Sequence, residues 1–410
     1  MYSVIGSEID RIESVDVETG EVRVLAEGRY PRYSNTGHLL FQDATETTLL
    51  SASFDVDGRE LTGAPIPLVE GLLAVGSSTQ GLNPGNFAVS QTGRIVYRTG
   101  AASGFVEPVW VERDGTARAI DPAWGSLLGA AAVSTLAISP NGERLAISIV
   151  GREGTVDVSV KELDTGPLSR LTFEGSVNYR AAWSPDGQSL TFISNRAGES
   201  DVWTKRADGG GTAERVLNSE TAINEAFYSQ DGAWLIFREG ATAVGVGDIY
   251  AIRPGVDSAA VELSATEFTE YSPALSPDDR WLAYVSDQSG QDEVYVIPFP
   301  EGRVSGGLVQ VSANGGRFPV WAHNGRELFY RNASNELVAV RVTGDSTFVA
   351  GQQEVLFSLD EYLPGFASPM YDVSPDDERF VMLWIGGEVE DTELIMVENW
   401  AGEFQQRTGS

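Results

Sequence analysis

A four-residue turn between short apolar strands recurs eight times along the chain, and this repeat limits the possible folds more than any other feature. The turns are Ser34-Asn35-Thr36-Gly37, Ser90-Gln91-Thr92-Gly93, Ser139-Pro140-Asn141-Gly142 and Ser184-Pro185-Asp186-Gly187. Ser229-Gln230-Asp231-Gly232, Ser276-Pro277-Asp278-Asp279, Ala322-His323-Asn324-Gly325 and Ser374-Pro375-Asp376-Asp377 complete the set. Their starts lie 56, 49, 45, 45, 47, 46 and 52 residues apart. A period in the forties with four short strands per unit is the signature of a β-propeller. Proline presets φ at the second turn position, Asn or Asp bonds its own backbone, and the fourth residue takes the positive φ that closes the hairpin. Asp279 and Asp377 replace that glycine, and aspartate enters the left-handed region more readily than most residues. Around the turns the pattern has period two, as in Leu190 with Phe192 and Leu282 with Tyr284.

A second piece follows the hairpins. Ser194–Trp203 (SNRAGESDVW) is echoed by Ser286–Tyr295 (SDQSGQDEVY) and more weakly by Asp248-Ile249-Tyr250. Each reads as a loop into a third strand whose aromatic residue packs between blades. Eight units of this length consume all 410 residues. The expectation is therefore an all-β, single closed propeller of eight four-stranded blades over residues 1–410. Residues 9–25 and 370–400 would jointly close the ring and remove its open edges. The competing architecture is a six- or seven-bladed ring plus extra repeat units.

Further segments carry a family likeness: Tyr33–Phe41 (YSNTGHLLF), Leu61–Gly71 (LTGAPIPLVEG), Leu168–Phe173 (LSRLTF), Ser276–Phe299, Pro319–Tyr330 (PVWAHNGRELFY) and Val397–Trp400 (VENW). In these the chain resembles the TolB-like, WD-repeat-like propellers of bacteria, in particular those that follow a kinase domain and a membrane span in serine/threonine protein kinases. The resemblance implies a protein-interaction or sensor domain, and a periplasmic or other extracytoplasmic location. Without it the expectation is cytoplasmic, because Met1–Asp10 has neither the basic region nor the apolar run of a signal peptide. No glycine-rich nucleotide loop with a strand lysine and no His-Arg-Asp-type catalytic loop is present, so kinase activity does not carry over.

Composition narrows the chemistry. Cysteine is absent and the only histidines are His38 and His323, both at turns. A disulfide framework, a thiol nucleophile and a multi-histidine metal site are thereby excluded. No G-x-S-x-G elbow occurs, and Gly209-Gly210-Gly211 leads into a strand, so it reads as a hairpin turn rather than a phosphate cradle. Acidic residues outnumber basic ones 59 to 28, a net charge of −31 that repels nucleic acid and anionic membranes. No run approaches the ~18 apolar residues of a membrane span. No cofactor is expected. The acidic loop Glu388–Glu393 could take a loosely bound calcium or other cation, although it lacks the glycine-spaced pattern of a calcium loop.

Register offers a candidate site. One residue before each turn stands a uniformly large apolar set, including Ile138, Trp183, Leu275, Trp321 and Val373, which reads as inter-blade core. Four residues before each turn the set is mixed: Tyr30, Asn86, Thr135, Arg180, Glu225, Ser272, Phe318 and Met370. One position earlier lie Asn224, Tyr271 and Arg317. Ligands of propellers usually meet the mouth of the central channel, so the candidate binding residues are Asn86, Arg180, Asn224, Glu225, Tyr271, Arg317 and Phe318. The expected function is a non-catalytic binding or scaffold module, a monomer with a protein or small ligand at the propeller face. The alternative is an enzyme, a lyase or hydrolase of a sugar polymer or peptide, using Arg180, Glu225 and Tyr271 as acid, base and charge stabiliser. That alternative requires these groups to converge within hydrogen-bond reach.

Among the basic residues only Lys161 and Lys205 are lysine. Surface carboxylates in such a chain repel one another over the ~30 Å screening length of 0.01 M salt, which falls to ~3 Å at 1 M. Excluded salts such as sulfate also strengthen packing of Trp183, Trp321 and their equivalents. The melting temperature should therefore rise from low to molar salt, more in sulfate than in chloride at matched ionic strength. A flat or falling curve in calorimetry would show that the acidity plays no part in stability.

Overall fold

Each element described in the computed structural model is a β-strand, 35 in total. The structure describes residues 2–4, 11–17, 19–43, 48–70, 72, 87–90, 94–99, 105–121, 133–150, 155–163, 166–240, 247–299, 307–344, 347–365, 368–386, 393–398 and 400. Among them no helix is long and apolar enough to cross a membrane. The chain divides into two compact units, residues 105–386 and residues 1–104 with 387–410.

The larger unit holds six four-stranded antiparallel sheets. Sheet I comprises Val133–Ile138, Arg144–Val150, Val156–Glu162 and Leu168–Arg170. Sheet II comprises Asn178–Trp183, Ser189–Ala197, Glu199–Arg206 and Glu214–Leu217. Sheet III comprises Ile223–Tyr228, Leu235–Gly240, Gly247–Ile252 and Val261–Ser264. Sheet IV comprises Glu270–Leu275, Trp281–Ser286, Glu293–Pro298 and Val309–Gln310. Sheet V comprises Gly316–Trp321, Glu327–Asn332, Glu336–Thr343 and Val349–Ser358.

Sheet VI draws on both ends of the unit: Tyr371–Val373 and Arg379–Gly386 pair with Phe105–Glu112, which pairs with Ala117–Ala119. This corrects the expected partnership of residues 9–25 with 370–400. Arg11–Val15 instead pairs with Tyr2–Val4 on one side and Val22–Glu27 on the other. Glu393–Glu398 pairs with Arg94–Thr99. The reason is register: Phe105–Glu112 matches Arg379–Gly386 residue for residue over eight positions, with Val109, Val111, Phe380 and Met382 in one buried cluster. The smaller unit contains two three-stranded sheets and one five-stranded sheet, which includes the Ser34 turn. Its core joins Leu40, Leu49, Phe87, Ile95 and Trp400.

The second strands depart from simple alternation. Trp281–Ser286 is buried at every position. Leu282 and Tyr284 pack with Trp234 and Ile236 of sheet III, while Trp281 and Ala283 pack with Trp321 and Leu328 of sheet V. Both faces are core because a sheet lies on each side. Polar links accompany this packing: the indole N–H of Trp183 donates to the Ala137 carbonyl at 2.9 Å, and that of Trp321 to Ala274 at 3.0 Å.

The turns of the larger unit have the expected geometry, with φ of 55° at Asp279 and 62° at Asp377 as at the glycines they replace. Their side chains add a contact between sheets. Asp279 accepts the Gln230 and Asp231 N–H groups at 2.8 and 3.0 Å, and Asp377 accepts those of His323 and Asn324 at 2.6 and 3.0 Å. Gln230 and His323 occupy the second turn position, where the other four turns have proline, which has no N–H to offer. Each turn that follows one of those proline turns carries glycine instead. A Cβ at Gly142 would come within 3.1 Å of Pro375, at Gly187 within 3.6 Å of Pro140, and at Gly325 within 3.8 Å of Pro277. Gly232, after Pro185, fits the rule by residue type alone, having nothing within 4 Å.

Replacing Gln230→Pro alone removes one donor to a partly buried carboxylate and should cost ~1–2 kcal/mol in denaturant unfolding. Adding Asp279→Gly restores the proline–glycine pairing and should recover most of that loss, a non-additivity of about 1 kcal/mol. Additive effects in this cycle would rule out the turn-to-turn bond as a stabilising contact.

Candidate functional site

The mixed register set turns out to be a backbone feature. In the first strands of sheets I to V the ladder slips at Val133/Thr135, Tyr179/Ala182, Ile223/Glu225, Tyr271/Ala274 and Arg317/Val320. Three residues at these bulges are left-handed without being glycine: Arg180 (φ 52°), Ser272 (φ 53°) and Phe318 (φ 58°). A bulge leaves one residue outside the ladder and re-aims it. Here the freed N–H groups turn to the preceding sheet: Arg180 donates to Thr135 Oγ1 and Ser272 to Glu225 Oε1, both at 3.2 Å.

Arg180, Asn224 and Glu225 come together. Glu225 Oε1 lies 2.7 Å from Arg180 Nη1 and accepts Arg238 Nε at 2.7 Å. Arg238 is fully buried, and Arg180 and Glu225 are 8% exposed. Burial alone would raise the Glu225 carboxyl, but the two guanidinium charges outweigh it and hold it below the ordinary carboxylate range. Asn224 is buried beside them, its amide donating to the Gly240 carbonyl at 3.1 Å. The catalytic alternative needed convergence, and two of its three groups do converge. Glu225, however, is buried, ionised and engaged by two cations, which suits neither a general acid nor a base at neutral pH.

Tyr271, Arg317 and Phe318 form a second group. The Tyr271 hydroxyl donates to Asp292 Oδ2 at 3.0 Å, and Arg317 Nη2 lies 2.6 Å from the same oxygen. Burial and the Asp292 charge push the Tyr271 hydroxyl well above its usual value. Phe318 is buried against the Tyr271 ring, with its carbonyl accepting the Tyr371 hydroxyl at 2.7 Å. Asn86 lies outside the described residues, as do residues 388–392 of the acidic loop. Among the described residues, no group of three or more acidic or histidine side chains is arranged to hold a metal ion.

Sequence reasoning missed Arg238, Asp292 and Arg331. The signal for Arg238 was a cation directly following the apolar run Leu235–Phe237; the structure places it opposite Glu225 in the ladder. Arg331 stands opposite Arg317. It is half-buried, and burial together with the Arg317 charge lowers its affinity for its proton.

Removing the acid should expose what the buried cluster contributes. Glu225→Gln leaves Arg180 and Arg238 buried without their carboxylate, which should cost ~3–5 kcal/mol at neutral pH. Because the folded Glu225 titrates below the unfolded value of ~4.3, its stabilisation is complete above that pH and fades as pH falls through the folded value. The variant should therefore lose less stability on acidification than the native chain. Equal acid sensitivity in urea titrations would exclude Glu225 as a contributor.

Comparison with known proteins agrees with this architecture. Residues 129–246 match the TolB beta propeller domain family. A TolB homologue of Chlorobium luteolum is 27% identical over 160 residues, 38% of this chain and 35% of that protein. An uncharacterized protein of Agrobacterium fabrum is 30% identical over 150 residues, 36% of this chain and 49% of that one. The chain thus spans between a third and a half of the length of these curated relatives. A solved TolB-type structure from Agrobacterium tumefaciens superposes with a TM-score of 0.53 at 19% identity, covering 70% of this chain and 99% of that one. Repeat, sheet topology and this superposition together support a β-propeller fold, in which the TolB-type sequence match is confined to residues 129–246.

Proposed function

We propose that the chain is a non-catalytic, protein-binding propeller whose working ring is the six sheets of residues 105–386, with sheet VI as its two-plus-two closure. The contact of Gly142 with Pro375, which sets the sheet I turn beside that of sheet VI, supports a ring of six. The observation that carries the binding reading is the state of the polar residues in the first strands. Arg180, Glu225 and Arg238 hold one another in the interior, and Tyr271 and Arg317 share Asp292. Groups spent on internal pairing are poor reagents but good struts.

The partner is read at the end of the sheets that carries Tyr271, Asp292, Arg317 and Arg331, flanked by the loops Asp287–Gly290 and Asn332–Asn335. Residues 129–246, which match the TolB family, span sheets I and II and the first two strands of sheet III. In this reading the chain serves as the interaction or sensor part of a larger signalling system.

A photo-crosslinking residue at exposed Ser289, at the loop end, should capture one defined protein, whereas one at exposed Gln188, beside a hairpin turn, should not. The captured protein, once purified, should bind the native chain directly and bind Arg331→Gln more weakly. Equal capture at both ends, or turnover of a peptide or glycan that Glu225→Gln abolishes, would overturn the reading.

A further inference from the structure

At the hairpin end of sheets IV and V lies a cleft of about 900 Å³. Its walls are the Ser276–Trp281 turn, the His323–Glu327 turn and the strand end Arg341–Gly344. Three arginines face it, Arg280, Arg326 and Arg341, with His323 beside them. In a chain with twice as many acids as bases this is an unusual concentration of cations.

The acids of the cleft are already engaged. Asp278 accepts Arg280 Nε at 2.6 Å and the Ser276 hydroxyl at 2.6 Å. Arg341 stands directly opposite Glu327 in the ladder, the place for a cross-strand ion pair. Both oxygens of Glu327 are instead taken by Arg113, reaching from sheet VI at 3.0 and 2.9 Å. Among the described residues the guanidinium groups of Arg326 and Arg341 have no acidic partner, and both are exposed. The turn that forms one wall is also the one that departs most from the repeat, with Ala322 and His323 where the others have serine and proline, glutamine or asparagine. The His323 backbone is fixed by Asp377, yet its side chain remains 42% exposed beside the opening.

We infer that this cleft binds an oxyanion ligand, a carboxylate or phosphate group gripped by Arg326 and Arg341. The guanidinium fork matches both anions in bidentate geometry. The group could belong to a small polycarboxylate, to free phosphate or to an acidic side chain on a peptide; the chemistry of the grip is common to all three. The site is separate from the Tyr271–Arg317 region and does not depend on the binding reading given above.

The test is calorimetric titration of the native chain with citrate, inorganic phosphate and a tetraglutamate peptide, at the lowest salt at which the chain stays folded. One-to-one binding of at least one probe is expected, and which probe binds identifies the source of the anion. Arg326→Gln with Arg341→Gln should weaken it by roughly tenfold or more. Arg326→Lys with Arg341→Lys should fall in between, because charge remains and the fork is lost. Arg206→Gln, an exposed arginine of sheet II outside the cleft, should bind as the native chain does. Melting curves of the variants should match the native curve, since among the described residues neither guanidinium has an acidic partner to lose. Absence of binding by all three probes, or equal weakening by Arg206→Gln, would overturn the assignment.

Discussion

No inner sheet of the larger unit has a free face, and most of its structure follows from that constraint. A strand such as Trp281–Ser286 is core on both sides, so its sequence must satisfy two neighbours at once. Burying a large apolar side chain stabilises by ~1.5–3 kcal/mol, and in this arrangement both faces of each second strand contribute. Any polar group placed between sheets must then find its partner in the next sheet, since water is excluded there. The bulges at Arg180 and Ser272 meet that demand by turning a backbone N–H out of the ladder and toward the preceding sheet.

The Arg180–Glu225–Arg238 cluster is best understood in the same light. Arg180 comes from sheet II, Glu225 and Arg238 from sheet III, and the Ser272 N–H from sheet IV. Such a buried group adds little net stability over apolar side chains of the same shape, but separating its members is heavily penalised. It therefore disfavours misaligned packing of three consecutive sheets. The positive φ at Arg180 and Ser272 is a local strain of order 1–3 kcal/mol, borne where this alignment is enforced.

Much of the fold was legible in the sequence because the turns carry it. Serine, proline or a replacement, an Asn or Asp and a left-handed residue announce a hairpin, and Asp279 and Asp377 adopt the φ that the pattern requires. The partner of Phe105–Glu112 was not legible, since this strand is joined to no repeat turn and its match to Arg379–Gly386 is a matter of long-range register. The bulges were hidden for a different reason: Arg180, Ser272 and Phe318 share a backbone conformation and no chemistry. The candidate set was defined by register, and in the structure that register falls at the bulges of the first strands. Its side chains were expected to face a solvated channel mouth, but five of the six described ones are buried, because sequence alone did not show that Arg238 lies opposite Glu225.

The turn-to-turn contacts bear on how such a chain can change its number of repeats. Each turn is matched to the one before it, glycine after proline and aspartate after a residue with a free N–H. Neighbouring sheets are thus keyed in pairs and are not interchangeable modules. Deleting sheet III would set Asp279 against Pro185, a carboxylate facing a residue without a donor, and duplicating sheet II would create no such conflict. Gain and loss of repeats in this architecture are therefore unequal events, easiest where proline meets glycine and hardest beside an aspartate.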